Sequence, residues 1–411
     1  MEIKIQLIRN DNKIYNLYLI YSLKFIIVRV MGFLLSILMP LLTLINHLTF
    51  YGRSSKAKLT PILLLFPTSH NIINYEGNGL NGSTKVNLGL IDDLKKLNAN
   101  IELGTISKTF FAGIFDIFYE KRLRDLVTCS EKIIVSVPGS SGLISAYLSF
   151  FCRKKVVFLS HNAEYLHRRE WRRNLTSNYR KVQYYLKGLK GLLADFLVAN
   201  TASKILVLSE TEIEIYWKRL RKLSKRNIFF YFPYVPPTKF FFKPRNAKVS
   251  KLKKENVAII GTFSESIGEY RETKKFLDSS SSIKTSINRK KMNLISLGNG
   301  VRYSFCDKNL GYLSDKEFLS MQESIESIII PTDWGWGFKT KISDAIFLGQ
   351  RVFVPLEISK RYPSWVEALE VVVDWSEFRY KDDSVKKANL RKIVMEKQKK
   401  IRRNLLDDIV R

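Results

Sequence analysis

Apolar and polar positions alternate along most of the chain in a way that separates short buried runs from helical stretches. Apolar runs at 62–66, 133–137, 156–159 and 202–208 read as strands, with helically spaced residues between them. Runs at 256–260, 292–297, 303–312 and 328–330 repeat the pattern farther on. Strands and helices in alternation predict parallel sheets with crossover helices, one set on each side of residues 228–244. That segment, IFFYFPYVPPTKFFFKP, has prolines that disfavour continuous helix and too many aromatics for a solvated linker. It reads as a packed crossover, with a domain boundary near 235–255.

The stretch 328–355, IIIPTDWGWGFKTKISDAIFLGQRVFVP, holds the most informative unit. Its pattern is a buried strand, a glycine loop, a helix from Lys341 to Leu348 stopped by Gly349, and a second strand. A ligand in such a unit sits beyond the carboxyl end of the strand, and a helix N-terminus there favours an anion. Lys339 and Lys341 add two cations to that loop. Asp344 is read onto the first turn of the helix, where a carboxylate can accept ribose hydroxyls. The arrangement suits a nucleotide with an anionic diphosphate, although two loop glycines and two surface lysines also occur in βα units that bind nothing.

A second run, KKVVFLSHNAEYLHRREWRR at 154–173, puts His161, Asn162 and Glu164 just past a core strand, on the edge of the sheet where ligands bind. His161 is read as a donor to a substrate hydroxyl or to developing charge, with a loop histidine that covers the sheet as the plainer alternative. His167 and the arginines around it read as one face of a basic helix. In the second half, Gly261 opens a loop that faces the same crevice. A glycine- and asparagine-rich stretch at 76–90 reads as a turn before a helix, without the dinucleotide-binding fingerprint.

Composition narrows the choice of partner. The chain of 411 residues carries 68 Lys and Arg against 38 Asp and Glu, a formal charge of +30, which calls for anionic company: nucleic acid, an acidic membrane surface or phosphorylated substrates. Three cysteines, Cys129, Cys152 and Cys306, and four histidines form neither a disulfide framework nor a zinc site. Residues 30–51 contain 22 positions without Lys, Arg, Asp or Glu, long enough to cross a hydrocarbon core. They read as a membrane anchor, or else as a buried helical hairpin. The expected partition is a hydrophobic extension at 1–58, an acceptor-side lobe at 59–235, a connection at 236–255, a nucleotide-sugar lobe at 256–380 and a basic C-terminal helix at 381–411.

Taken together, SHNAE at 160–164, LVLSETE at 206–212, IIGTFS at 259–264 and GFKTKISDA at 337–345 with Gly349 resemble bacterial retaining glycosyltransferases of the GT-B fold. The resemblance is to the family-four-like class that builds polysaccharides and glycolipids, and it covers about 59–380. It implies an α/β fold of two Rossmann-like lobes with the hydrophobic extension in front. Lys339 and Lys341 would meet the donor diphosphate, Asp344 the donor ribose, Gly261 the donor loop, and His161 the transferred sugar. Asn162, Glu164 and Trp336 would be sugar or acceptor contacts. Many members carry two glutamates in the donor loop; here the earlier position is Trp336, which leaves the sugar unidentified.

The implied reaction moves a hexosyl group from a nucleotide diphosphate sugar to a saccharide or lipid-linked hydroxyl, with retention. It needs no resident cofactor, and the chain has no DxD-type metal motif. An anionic membrane is the expected partner, at the cytoplasmic face of the cell membrane, and nucleic acid is not expected. The alternative is a nonenzymatic membrane-associated scaffold with a degraded transferase fold.

Overall fold

The computed structural model describes residues 60–67, 82–107, 110–136, 141–173, 175, 177–221, 228–237, 255–261, 271–298, 303–311, 313, 315–322, 324–332 and 336–411. The expected hydrophobic extension at 1–58 and most of the connection at 236–255 lie outside them. Among the described residues, no helix is long and apolar enough to cross a membrane.

Among the described residues, twelve strands form two parallel sheets of six. The first contains β1 (Thr60–Pro67), β2 (Ile101–Ile106), β3 (Ser130–Val135), β4 (Lys155–Ser160), β5 (Lys204–Val207) and β6 (Phe229–Tyr231), in the spatial order β2-β1-β3-β4-β5-β6. The second contains β7 (Asn256–Ile260), β8 (Asn293–Leu297), β9 (Lys308–Asn309), β10 (Ile325–Ile329), β11 (Arg351–Pro355) and β12 (Glu370–Val372), in the order β12-β11-β10-β7-β8-β9. Residues 62–66 of β1 are apolar without a break and buried throughout, as a central parallel strand covered on both faces must be. Leu64 pairs with Leu103 on one side and Ile134 on the other. In each sheet the chain reverses its direction of winding once, between β1 and β3 and between β10 and β7. A crevice opens at the carboxyl ends of the strands flanking such a reversal. Ser136 follows β3, and Gly261 follows β7, so both residues stand at these two openings.

Two local readings change. The helix Gly82–Lys96 starts inside the stretch expected as a turn, because Val86, Leu90, Ile91 and Leu94 make one buried stripe. The strand-like unit expected at 303–312 pairs only through Lys308 and Asn309. Side chains hold the rest as a turn: Asp307 accepts from the Leu294 N–H at 2.8 Å and Asn309 from the Tyr303 N–H at 2.9 Å.

The lobes share one apolar cluster, which runs from Leu64 and Leu159 through Phe232 and Tyr234 of the crossover to Phe338 and Ile342. The C-terminal helix Val385–Val410 spans the junction. Arg391, Val394, Gln398, Arg402, Leu406 and Ile409 form its buried stripe. Gln398 donates to Ser364 O of the second lobe at 3.0 Å and accepts from Tyr231 of the first at 3.1 Å. Arg402 donates to Asp93 at 2.6 Å and to Pro233 O at 3.1 Å, with its guanidinium 4.4 Å from the Phe232 ring centroid. Arg402 is buried, so its truncation empties a packed site beside Phe232 and leaves Pro233 O without that donor, whereas Asp93, a quarter exposed, keeps Lys96 at 3.4 Å. Arg402→Ala is therefore expected to cost about 2–4 kcal/mol, read as a lower urea midpoint, whereas truncation of the exposed Lys218 should move it by less than about 0.5 kcal/mol.

Candidate functional site

The carboxyl ends of the two sheets meet at two neighbouring contacts. In the first, the loop after β4 touches the loop that precedes the helix Thr340–Phe347. Gly337 has φ +85, in the left-handed region that glycine adopts without a Cβ penalty, and a Cβ there would fall on Asn162 Oδ1 and reach within 3.0 Å of His161 O. The glycine thus sets how closely the two loops approach. Gly337→Ala is expected to force them apart and lower any activity of the site by roughly a hundredfold, read as kcat in steady-state assays.

His161 is buried, 7% exposed, and its Nε2 lies 2.9 Å from Ser136 Oγ. The Ser136 hydroxyl donates to Asn87 Oδ1, and Asn87 returns a bond from Nδ2 to Ser136 O at 3.4 Å. A serine hydroxyl has one proton, so with that proton on Asn87 the bond from the ring must be donated by Nε2–H. The relay fixes the tautomer and orientation of the imidazole.

Glu212, 1% exposed, joins the same contact. One oxygen accepts from the Ala163 N–H at 3.2 Å and the other from the Gly337 N–H at 2.7 Å. Burial pushes its carboxyl up to about 7, against the lowering effect of the two amides and of the Arg361 charge. Tyr362 donates to Gly337 O at 2.7 Å and accepts from the Lys339 N–H at 3.3 Å. The Arg361 guanidinium lies 5.0 Å from the Trp336 ring centroid.

The second contact joins the helices Gly82–Lys96 and Thr340–Phe347 at their N-termini, so close that a Cβ on Gly82 would lie 3.2 Å from Thr340 Oγ1. Asp344 is the fifth residue of its helix, one residue deeper than expected and just past the first turn, and it is 3% exposed. Lys85 donates to one of its oxygens at 2.8 Å, and the Tyr234 hydroxyl donates to the other at 2.9 Å. The Lys341 side chain is exposed to solvent, yet protein crowds around it. That crowding, followed by the Lys85 charge, lowers its pKa to about 8, with Asp344 pulling the other way. Two ammoniums and two helix N-termini against one carboxylate leave an excess of positive charge that an anion would neutralise.

The remaining sequence-derived residues spread around this centre. Gly261 is buried, and its N–H donates to Leu297 O at 3.2 Å. Gly298, at φ +134, closes over the Gly261 carbonyl where any Cβ would collide. Glu164 is tied to Arg168 at 2.6 Å. Lys339, half-buried, is near enough to His167 to help lower the pKa of that imidazole, behind the larger effect of burial. His167 itself accepts from Trp171 Nε1 at 3.1 Å, the packing role its place in a basic helix suggests.

Sequence reasoning missed Lys85, Asn87, Ser136, Tyr234 and Glu212. A signal was present for two of them. Glu212 closes the LVLSETE run, where a glutamate beyond an apolar strand end is poorly placed for solvent, and Lys85 follows directly on the glycine-rich turn.

The architecture is the GT-B fold: two Rossmann-like lobes whose strand ends face one another. No family model and no curated protein matches the sequence. Solved structures do match in shape. Anabaena HepE, in complex with UDP and glucose, has a TM-score of 0.53 at 12% identity over 85% of this chain and 99% of its own. An OtsA apo structure has a TM-score of 0.50 at 8% identity over 85% and 99%. Sucrose-phosphate synthase from Thermosynechococcus elongatus gives 0.48 at 12% identity over 85% and 94%.

Proposed function

We propose that the protein is a glycosyltransferase that moves a hexosyl group from a nucleotide diphosphate sugar to the hydroxyl of a saccharide or lipid-linked acceptor. The observation that carries this reading is the excess positive charge around Lys341, next to the contact between the His161 and Gly337 loops. The HepE complex with UDP and glucose supports it, because the overall shape there surrounds a nucleotide and a sugar.

On this reading Lys341, Lys339 and the first amides of the helix Thr340–Phe347 face the donor diphosphate and stabilise the charge that grows on it as the glycosidic bond breaks. Gly261, just past the end of β7, borders the donor from the second lobe. Trp336, backed by Arg361, and Asn162 border the sugar, and the ring of His161, fixed by Ser136, polarises it. Glu164 stands at the acceptor edge, where Arg168 orients it. Asp344 takes the ribose by exchanging Lys85 for a ribose hydroxyl while Tyr234 keeps its other oxygen, and Lys85 then turns to the diphosphate. Retention follows from the family resemblance, and the leaving charge is met here by side-chain cations.

The same reading puts the acceptor at an anionic membrane on the cytoplasmic side, where nucleotide sugars are available. The helix Asn178–Thr201 exposes Tyr179, Val182 and Leu186 on one face, with Arg180, Lys187 and Lys190 beside them, a combination suited to an acidic lipid surface.

The test is a donor panel on purified full-length protein, with nucleotide diphosphate release read with and without lipid-linked acceptors in vesicles of phosphatidylglycerol or phosphatidylcholine. Release that depends on donor and acceptor supports the transferase. If no nucleotide sugar binds or turns over, the nonenzymatic scaffold is the better reading.

A further inference from the structure

Three consecutive side chains after β5 reach from the first lobe into the second. Glu210 accepts from the Ser364 N–H at 3.0 Å and from its hydroxyl at 2.5 Å. Thr211 Oγ1 donates to Arg361 O at 2.9 Å. Glu212 accepts from the Gly337 N–H and is the one member of the three that also reaches back, to the Ala163 N–H beside His161 and Asn162. Immediately after it the helix widens into a π turn at Ile213–Trp217, with Ile213, Tyr216 and Trp217 buried. Such a turn is rare and costs helical regularity. Here it anchors the clasp in the core of the first lobe.

Resting on the glycosyl-transfer reading, we infer that Glu212 is a positioning residue whose carboxylate locks the His161 loop of one lobe to the Gly337 loop of the other. Neither of the two amides belongs to a strand or to the interior of a helix, so without Glu212 each would be a buried donor needing another partner. Both oxygens are used, and both loops carry groups assigned to the sugar. An error of about 1 Å in such a register can cost on the order of a hundredfold in rate.

The role makes activity and stability move in opposite directions. The groups around Glu212 are Arg361 and Tyr362 from the second lobe and Tyr216 and Asp195 from the first. Burial raises its carboxyl to about 7 from the ordinary 4.5, so the folded chain holds that proton more tightly than the unfolded chain does. The group's contribution to stability is therefore full below about 4.5 and is lost as pH rises through about 7. Protonation, however, turns one oxygen into a donor facing an N–H and opens one side of the lock.

The experiment compares wild type with Glu212→Gln, which keeps size and one acceptor oxygen but turns an NH2 group toward the second amide. At pH 8 the variant is expected to be at least as stable to urea as wild type, to bind nucleoside diphosphate within about threefold, and to lose roughly tenfold to a hundredfold in kcat. Wild-type kcat should fall as pH drops through about 7, and this limb should be missing in the variant. Amide exchange at Ala163 and Gly337, read at pH 8 without substrate, should be faster in the variant than in wild type. Unchanged kcat and pH profile, unchanged exchange at both amides, or a loss of kcat that only tracks a loss of stability would each overturn the assignment. An inactive wild type would sink the transfer reading, and the exchange comparison would then decide the lock by itself.

Discussion

Lys341→Ala is expected to lower kcat/KM for the nucleotide sugar by roughly a hundredfold or more, the scale seen when a group that stabilises developing charge is removed from an active site. The ammonium stands in a crowded place beside a second cation, and both influences work against its charge. A bound diphosphate offsets both through its attraction to the two ammoniums. The pH dependence follows. Wild-type donor affinity should fall as pH rises past about 8, where the free ammonium loses its proton. Stability of the empty protein should move the other way, because the depressed pKa makes the folded chain bind that proton less tightly than the unfolded chain between about 8 and 10.5. Both dependences should disappear in the variant. A Lys341→Ala protein with kcat/KM within about threefold of wild type would remove Lys341 from the site.

His161→Ala is expected to reduce kcat by about a hundredfold while leaving the fold nearly as stable as wild type. Ser136 already gives its proton to Asn87, so loss of the imidazole removes a bond that Ser136 accepts and strands no serine donor. What is lost is a rigid polar ring at the end of β4. Steady-state kinetics alongside urea denaturation separates the two effects. A variant that loses stability and activity together would make His161 a cover for the sheet, the plainer of the two readings its position allows.

The fold was legible because parallel sheets buried on both faces write themselves as unbroken apolar runs. Residues 62–66 and 156–159 could hardly be anything else, and the second run ends just before the loop that carries His161 and Asn162. His161 and Lys341 could be picked out because they are polar residues immediately after such a run or at the start of the helix that follows it. Their partners could not. Lys85 and Asp344 are 259 positions apart, Glu212 and Gly337 are 125 apart, and only the closing of one lobe on the other makes neighbours of them. The depth of Asp344 was misjudged for the same reason. Its helix has an ordinary amphipathic pattern, and nothing within that helix signals that Tyr234 of the crossover and Lys85 of the first lobe will occupy its carboxylate. The segment 303–312 misled in another way: its strand-like pattern survives only at Lys308 and Asn309, and side-chain bonds from Asn309 to the Tyr303 backbone fold the rest into a turn.

On the proposed function, the meeting point of the two lobes holds a nucleotide diphosphate. Calorimetric titration of UDP into the purified full-length protein, wild type beside Lys341→Ala, tests it most directly. Saturable binding by wild type, weakened about tenfold or more in the variant, is the predicted result. Equal affinity in the two proteins would contradict the site, and no heat up to millimolar nucleotide would contradict the claim itself.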